Sequence, residues 1–115
     1  MSVRCLHLLL KHANSRNPLS RRTKRPVKLT PEEAAQELAD IEEHLVACTD
    51  VEAEFRRIAK DRSDCGSYKK AGDLGFFERG TMQKPFEDVA FALKVGELSS
   101  VVCSDTGVHL IYRLE

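Results

Sequence analysis

Residues 3–11, VRCLHLLLK, constrain this chain more than any other stretch. From Leu6 to Leu10 the segment is apolar whichever way its side chains alternate, so as a strand it must be covered on both faces. It therefore belongs in the middle of a sheet with packed layers on two sides. His7 shares a face with Cys5 and Leu9, an imidazole among aliphatics at mid-strand. Near the other terminus, Val108 to Leu114 read as an alternating strand. Val108, Leu110 and Tyr112 fall on one side of it, and His109 and Ile111 on the other. If the first and last strands are neighbours, His7 and His109 meet across the sheet.

Between these strands the sequence spells helices. Thr30-Pro31-Glu32-Glu33 predicts a helix start, with Thr30 as N-cap, Pro31 at the first turn and Glu33 closing a capping box. Ala34, Leu38, Ile41, Leu45 and Cys48 mark its apolar stripe. Thr49 with Glu52 repeats the capping pattern and predicts a second helix, facing inward through Val51, Phe55, Ile58 and Ala59. DRSDCGSYKKAG then reads as a loop holding Cys65. Residues 72–97 combine an apolar turn (Leu74, Phe76, Phe77), an Arg79–Gly80 corner and a short helix opening at Pro85. That helix shows Phe86, Val89, Ala90 and Leu93 on one face and is expected to end at Gly96. Leu98 to Cys103 reads as a strand and Ser104 to Gly107 as a turn. Strands split around consecutive helices predict an α+β fold with an antiparallel sheet. Leu74, Met82 and Phe86 can converge on an apolar cup that suits a compact ring such as proline, although plain core packing gives the same periodicity.

At 115 residues, 42% hydrophobic and 31% charged, the chain fits one soluble globular domain spanning 1–115. No run approaches the roughly 18 apolar residues of a membrane span, and the N-terminus does not read as a signal peptide. Cys5, Cys48, Cys65 and Cys103 are dispersed without a CxxC pair, which predicts a reduced, intracellular protein. The net charge is zero but unevenly laid out. Seven basic residues and no acid lie from Lys11 to Lys28, whereas nine acids lie from Glu32 to Glu54. That asymmetry points to a local anionic ligand, held by the long loop 12–29.

Several chemistries are open to the His7, His109 and Cys65 set with the hydroxyls of Ser104 and Thr106. Satisfied core histidines need no further role. Zinc ligation lacks the usual ligand spacing, and a cysteine nucleophile with a histidine base is a further reading.

The strand CLHLLLKH, the SDCGS loop, the run GDLGFFERGTMQKPFEDVAFALKVGELSSVV and the closing SDTGVHLIYR together resemble a parvulin-type peptidyl-prolyl cis/trans isomerase. The likeness covers nearly the whole chain apart from part of the 19–29 loop. The basic loop and the SDC cysteine resemble the phosphoSer/phosphoThr-Pro-directed eukaryotic branch, without the WW domain that often precedes it. The resemblance implies a four-stranded antiparallel sheet surrounded by about four helices, as in parvulin and FKBP-like folds. It implies His7, Cys65, Ser104 and His109 as catalytic residues, with Ser67 on the neighbouring loop. Leu74, Met82 and Phe86 would line the proline pocket, Gln83 and Phe77 its edge. Lys11 and Arg16 would hold the phosphate. Many relatives carry a second arginine where this chain has Asn17; either Arg21 or Arg22 replaces it, or selectivity for phosphorylated substrate is weakened.

No cofactor and no metal are called for. The expected partners are phosphorylated Ser/Thr-Pro segments of client proteins, met by a cytoplasmic and nuclear monomer with no membrane role. The rivals are a phosphopeptide-binding module without catalysis and nucleic-acid binding through RRTKRPVK. The acidic helices and the missing aromatic platform argue against a specific nucleic-acid partner.

Overall fold

The computed structural model describes residues 2–115. The two-sided strand β1 (Ser2–Leu10) is central, in a four-stranded antiparallel sheet of order β2-β1-β4-β3. β2 is Asp73–Glu78, β3 Val102–Ser104 and β4 Gly107–Arg113. Helices α1 (Pro31–Val46) and α2 (Val51–Arg62) cover one face, and α3 (Lys84–Ala92) covers the other. Strand alternation sorts the core accordingly. Leu6, Leu8 and Leu10 pack with Leu38, Leu45 and Phe55, whereas Val3 and Cys5 pack with Phe77, Phe86 and Ala90. The fold is the expected α+β sheet, with three α-helices and one 3-10 turn over Gly66–Lys70 in the segment read as a loop.

Thr30 caps α1 as the sequence predicts. Its hydroxyl accepts from the Glu33 backbone while Glu33 reaches back to the Thr30 N–H. α2 departs by one residue. Its cap is Asp50, not Thr49, and the Asp50 carboxylate accepts from Ala53 N at 3.1 Å. α3 ends at Ala92, short of Gly96. Arg113 Nη1 donates to the terminal Leu93 carbonyl, and Gly96 instead forms a turn whose N–H reaches Arg113 O. The strand expected over Leu98–Cys103 shrinks to Val102–Ser104 because Ser99 intercepts the ladder. The Ile111 N–H donates to Ser99 Oγ at 2.9 Å, leaving only a Leu98–Tyr112 bridge upstream.

Two glycines set how closely the strands approach around the histidines. A side chain at Gly72 (φ +84°) would place Cβ 2.6 Å from His7 O, and one at Gly107 (φ +147°) would sit 2.5 Å from Leu10 O. Both positions need the absent Cβ as well as the backbone freedom. Beyond β2, the outer edge of β1 is completed by the end of α2. Leu9 N donates to Ser63 Oγ and Lys11 N to Asp64 Oδ2.

Candidate active site

His7 pairs with Ile111 and Leu9 with His109 in the β1–β4 register. The two histidines are therefore diagonal neighbours on one face, close enough for side-chain contact. Their rings stack with centroids 4.8 Å apart, and His7 Nε2 lies 2.6 Å from His109 Nδ1. His109 Nε2 is 2.5 Å from Ser104 Oγ, which is 2.8 Å from Thr106 Oγ1. Phe86 closes on both rings edge-on, at 4.9 Å and 5.6 Å.

Burial keeps this pair neutral. Desolvation and the neighbouring His109 push His7 well below the ordinary histidine value, and desolvation takes His109 down to about 4. The direction of hydrogen bonding follows from the one ring atom left over, His7 Nδ1, which is buried without a partner. An orphaned N–H costs more than a bare lone pair. The proton therefore sits on His7 Nε2 and is donated to His109 Nδ1. His109 Nε2–H then donates to Ser104 Oγ, with Thr106 Oγ1 a second neighbour at 3.3 Å, and the Ser104 and Thr106 hydroxyls are hydrogen-bonded to each other.

Outward is an open cavity of about 270 Å³, bounded by the two histidines, Leu9, Cys65, Leu74, Met82, Phe86 and, at its rim, Arg16, Thr81, Gln83 and Thr106. Its wall is mostly apolar, as expected of a site for a compact ring. Gln83 stands at the N-cap of α3, and buried Glu87 on that helix takes the Gly80 N–H, fixing the corner that carries Thr81 and Met82. The structure thus brings together His7, His109, Cys65, Leu74, Met82, Gln83, Phe86 and Arg16.

Other expected site residues lie off the cavity wall. Phe77 is buried in the core behind Phe86, their rings 6.0 Å apart. Ser104 sits behind His109. Thr106 is half-buried on the cavity rim and was visible in the sequence only as the second hydroxyl of the turn. Ser67 Oγ is buried without a partner. Lys11 is buried, its Nζ donating to Leu19 O at 2.6 Å. Burial lowers its pKa and the Arg21 charge lowers it further, while Asp64 and Cys65 act in the opposite direction. Leu9 and Thr81 were not foreseen, though Leu9 shares the His7 face by simple alternation.

The 12–29 loop is ordered on top of this. Arg16 N donates to Asp105 O in the β3–β4 turn, and Arg21 N to Asp64 O beside Cys65. Leu19 and Pro26 bridge a small hairpin whose Ser20 Oγ donates to buried Asp64 at 2.7 Å. Elsewhere, among the described residues, His44, Cys48 and Glu54 bring metal-capable atoms within 4.8 Å of one another. Glu54 already accepts from Arg57, and that guanidinium opposes a cation there.

The chain belongs to the PPIC-type peptidyl-prolyl cis/trans isomerases: the family description "Rotamase: PPIC-type PPIASE domain" matches residues 7–115. Within that class it is similar to a Theileria annulata peptidyl-prolyl cis-trans isomerase NIMA-interacting 1 of the buparvaquone-resistant form, 54% identical over 97% of this chain and 79% of the relative. The peptidyl-prolyl isomerase ESS1 structure from Candida albicans superposes with a TM-score of 0.92 at 38% identity, over 99% of this chain and 63% of that one. The solution structure of TbPIN1 gives 0.87 at 45% identity, over 99% and 97%.

Proposed function

We propose that this isomerase acts on X–Pro bonds whose preceding serine or threonine is phosphorylated, and that it does so without covalent catalysis. The observation carrying the first half is adjacency. Arg16 is on the rim of the cavity walled by Leu74, Met82 and Phe86, and on the same loop the Arg21 charge acts on Lys11. A phosphoserine brings about −1.5 to −2 charges and three acceptor oxygens. A proline ring seated against Phe86 presents the preceding side chain toward those cations. Arg21, whose charge acts on Lys11, is the cation we assign to the role left open by Asn17.

Rotation about the amide is slow because resonance gives the C–N bond double-bond character. No bond has to be made; the twisted amide has only to be bound more tightly than either planar form. The apolar wall grips the ring and excludes water, which weakens amide resonance by denying the carbonyl its solvation. The neutral histidine pair, oriented through Ser104, leaves Thr106 as a donor at the cavity mouth for the turning carbonyl. Cys65 is an unsuitable nucleophile in this arrangement. Its thiol has no side-chain hydrogen bond to either imidazole, and the ring nitrogens are engaged with each other and with Ser104, apart from the unpartnered His7 Nδ1.

A coupled cis/trans assay tests the substrate half. PhosphoSer-Pro peptides should exceed Ala-Pro by about tenfold or more in kcat/KM, the equivalent of one charge-assisted hydrogen bond. Glu-Pro should fall between. Equal rates on all three would overturn the phosphate reading and leave a general prolyl isomerase.

A further inference from the structure

Ten arginines divide into two groups. The six outside the basic loop all have occupied guanidinium groups. Arg4, Arg56, Arg57, Arg62 and Arg79 pair with carboxylates, and Arg113 donates to carbonyls. The four inside it, Arg16, Arg21, Arg22 and Arg25, make no side-chain hydrogen bond or ion pair among the described residues, and neither Lys24 nor Lys28 makes an ion pair. Arg22 Nε is moreover buried with no partner. A solvated, mobile segment would explain free cations, but this one is built. Ser20 N donates to Arg25 O, Lys24 N to Ser20 O and Val27 N to Pro18 O, while Ser20 Oγ donates to Asp64. Lys24 even holds a left-handed backbone, φ +63°, to close the turn. Positive side chains crowded on an ordered turn repel one another, and that cost is recovered only when an anion binds.

Resting on the phosphate reading above, we infer that the hairpin tip, Arg22, Lys24 and Arg25, is a second anion subsite, and that the preferred substrates are segments phosphorylated twice. One phosphate sits on the residue before proline, at Arg16, Lys11 and Arg21. The other sits on a residue further from the proline and lies over the tip. Position supports this assignment. Arg21 is bonded through its backbone to Asp64, next to the cavity residue Cys65, and the tip residues follow Arg21 directly in the chain. To meet the tip, a chain whose proline is in the cup and whose first phosphate is at Arg16 has to run toward the hairpin. A nucleic acid is a poorer fit, because the patch is short and carries no aromatic side chain for stacking.

The test compares peptides carrying one phosphoserine before proline with peptides carrying a second phosphoserine at successive upstream positions. The second phosphate should raise kcat/KM about three- to tenfold at low salt at its best position, as expected for two or three exposed charge pairs. The gain should shrink with added salt. In Lys24→Gln/Arg25→Gln the ratio of the two substrates should fall to near one. Both side chains are exposed and unbonded, and a thermal melt checks that the variant folds. As a second measurement, the Arg22 Nε–H resonance should shift only with the doubly phosphorylated peptide. A second phosphate that adds nothing at any position overturns the inference, as does a gain the variant keeps. So does an oligonucleotide of equal charge competing as strongly as the doubly phosphorylated peptide. Failure of the underlying reading is distinct: there, the first phosphate itself would give no advantage over plain Ser-Pro.

Discussion

The two faces of β1 come from one strand and yet differ in kind. Toward α1 and α2 it presents Leu6, Leu8 and Leu10, each fully buried in a cluster of aliphatic and aromatic side chains with no titratable group among its buried members. Toward α3 it presents Cys5, His7 and Leu9, and this layer holds two buried imidazoles and opens into a cavity. The first face maximises burial and so carries stability. The second gives up packing and solvates two histidines through each other, Ser104 and Thr106. The candidate active site can therefore open into the core while the opposite face of the same strand stays closed.

The largest expected effect probes the closed face. Leu8→Ala should cost about 2–5 kcal/mol in urea unfolding, the range for a buried leucine leaving a cavity. The folded fraction should isomerise at the normal rate. A loss below about 1 kcal/mol would break the contrast, since the two faces would then be similarly loose. Next comes pH. His7 and His109 titrate lower in the folded protein than the ordinary 6.5, so between 6.5 and about 4 the unfolded chain binds more protons. Stability is therefore full above 6.5 and falls as pH drops toward 4, by roughly 3 kcal/mol for His109 alone. Denaturation series at several pH values should show this slope in the parent, reduced in His109→Gln. An unchanged slope would mean that the open face holds its histidines charged.

Two smaller effects sharpen the chemistry of that face. Cys65→Ser should keep its fold and lose no more than about tenfold in kcat, the scale of one altered polar contact. Turnover abolished in a folded variant would establish covalent chemistry instead. Thr106→Val should lower kcat about fivefold with KM little changed, the signature of a donor used at the twisted amide, and Thr106→Ser should restore it. A change in KM alone would make Thr106 a simple contact.

Much of this arrangement was legible because it follows from periodicity. The two-sided apolar run placed β1 centrally, and alternation along β4 put His109 opposite the helical layer. The capping box wrote the start of α1 in four letters. What was not legible is competition between equivalent local choices. Thr49 and Asp50 are both good caps, and only the α1–α2 turn selects Asp50. Ser99 reads as an ordinary strand residue, yet its hydroxyl replaces a backbone partner and shortens β3. Phe77 and Leu74 share one apolar run. The bulge between β1 and β2, with Gly75 at φ +71°, sends Leu74 to the cavity and Phe77 to the core. The ordering of the 12–29 loop was equally hidden, since it rests on a contact to Asp64 that lies 44 residues from Ser20.

Asp64 has a consequence of its own. Sealed beneath the hairpin, it ties Ser20, the end of β1 and, through a 3.5 Å pair, Arg62 into one joint, and no cationic side chain of the tip takes part. The lettering above the joint is free to be rewritten while the joint stays put. A descendant of this chain could trade arginines for acids there and acquire a new clientele in a few substitutions, with its melting behaviour hardly altered.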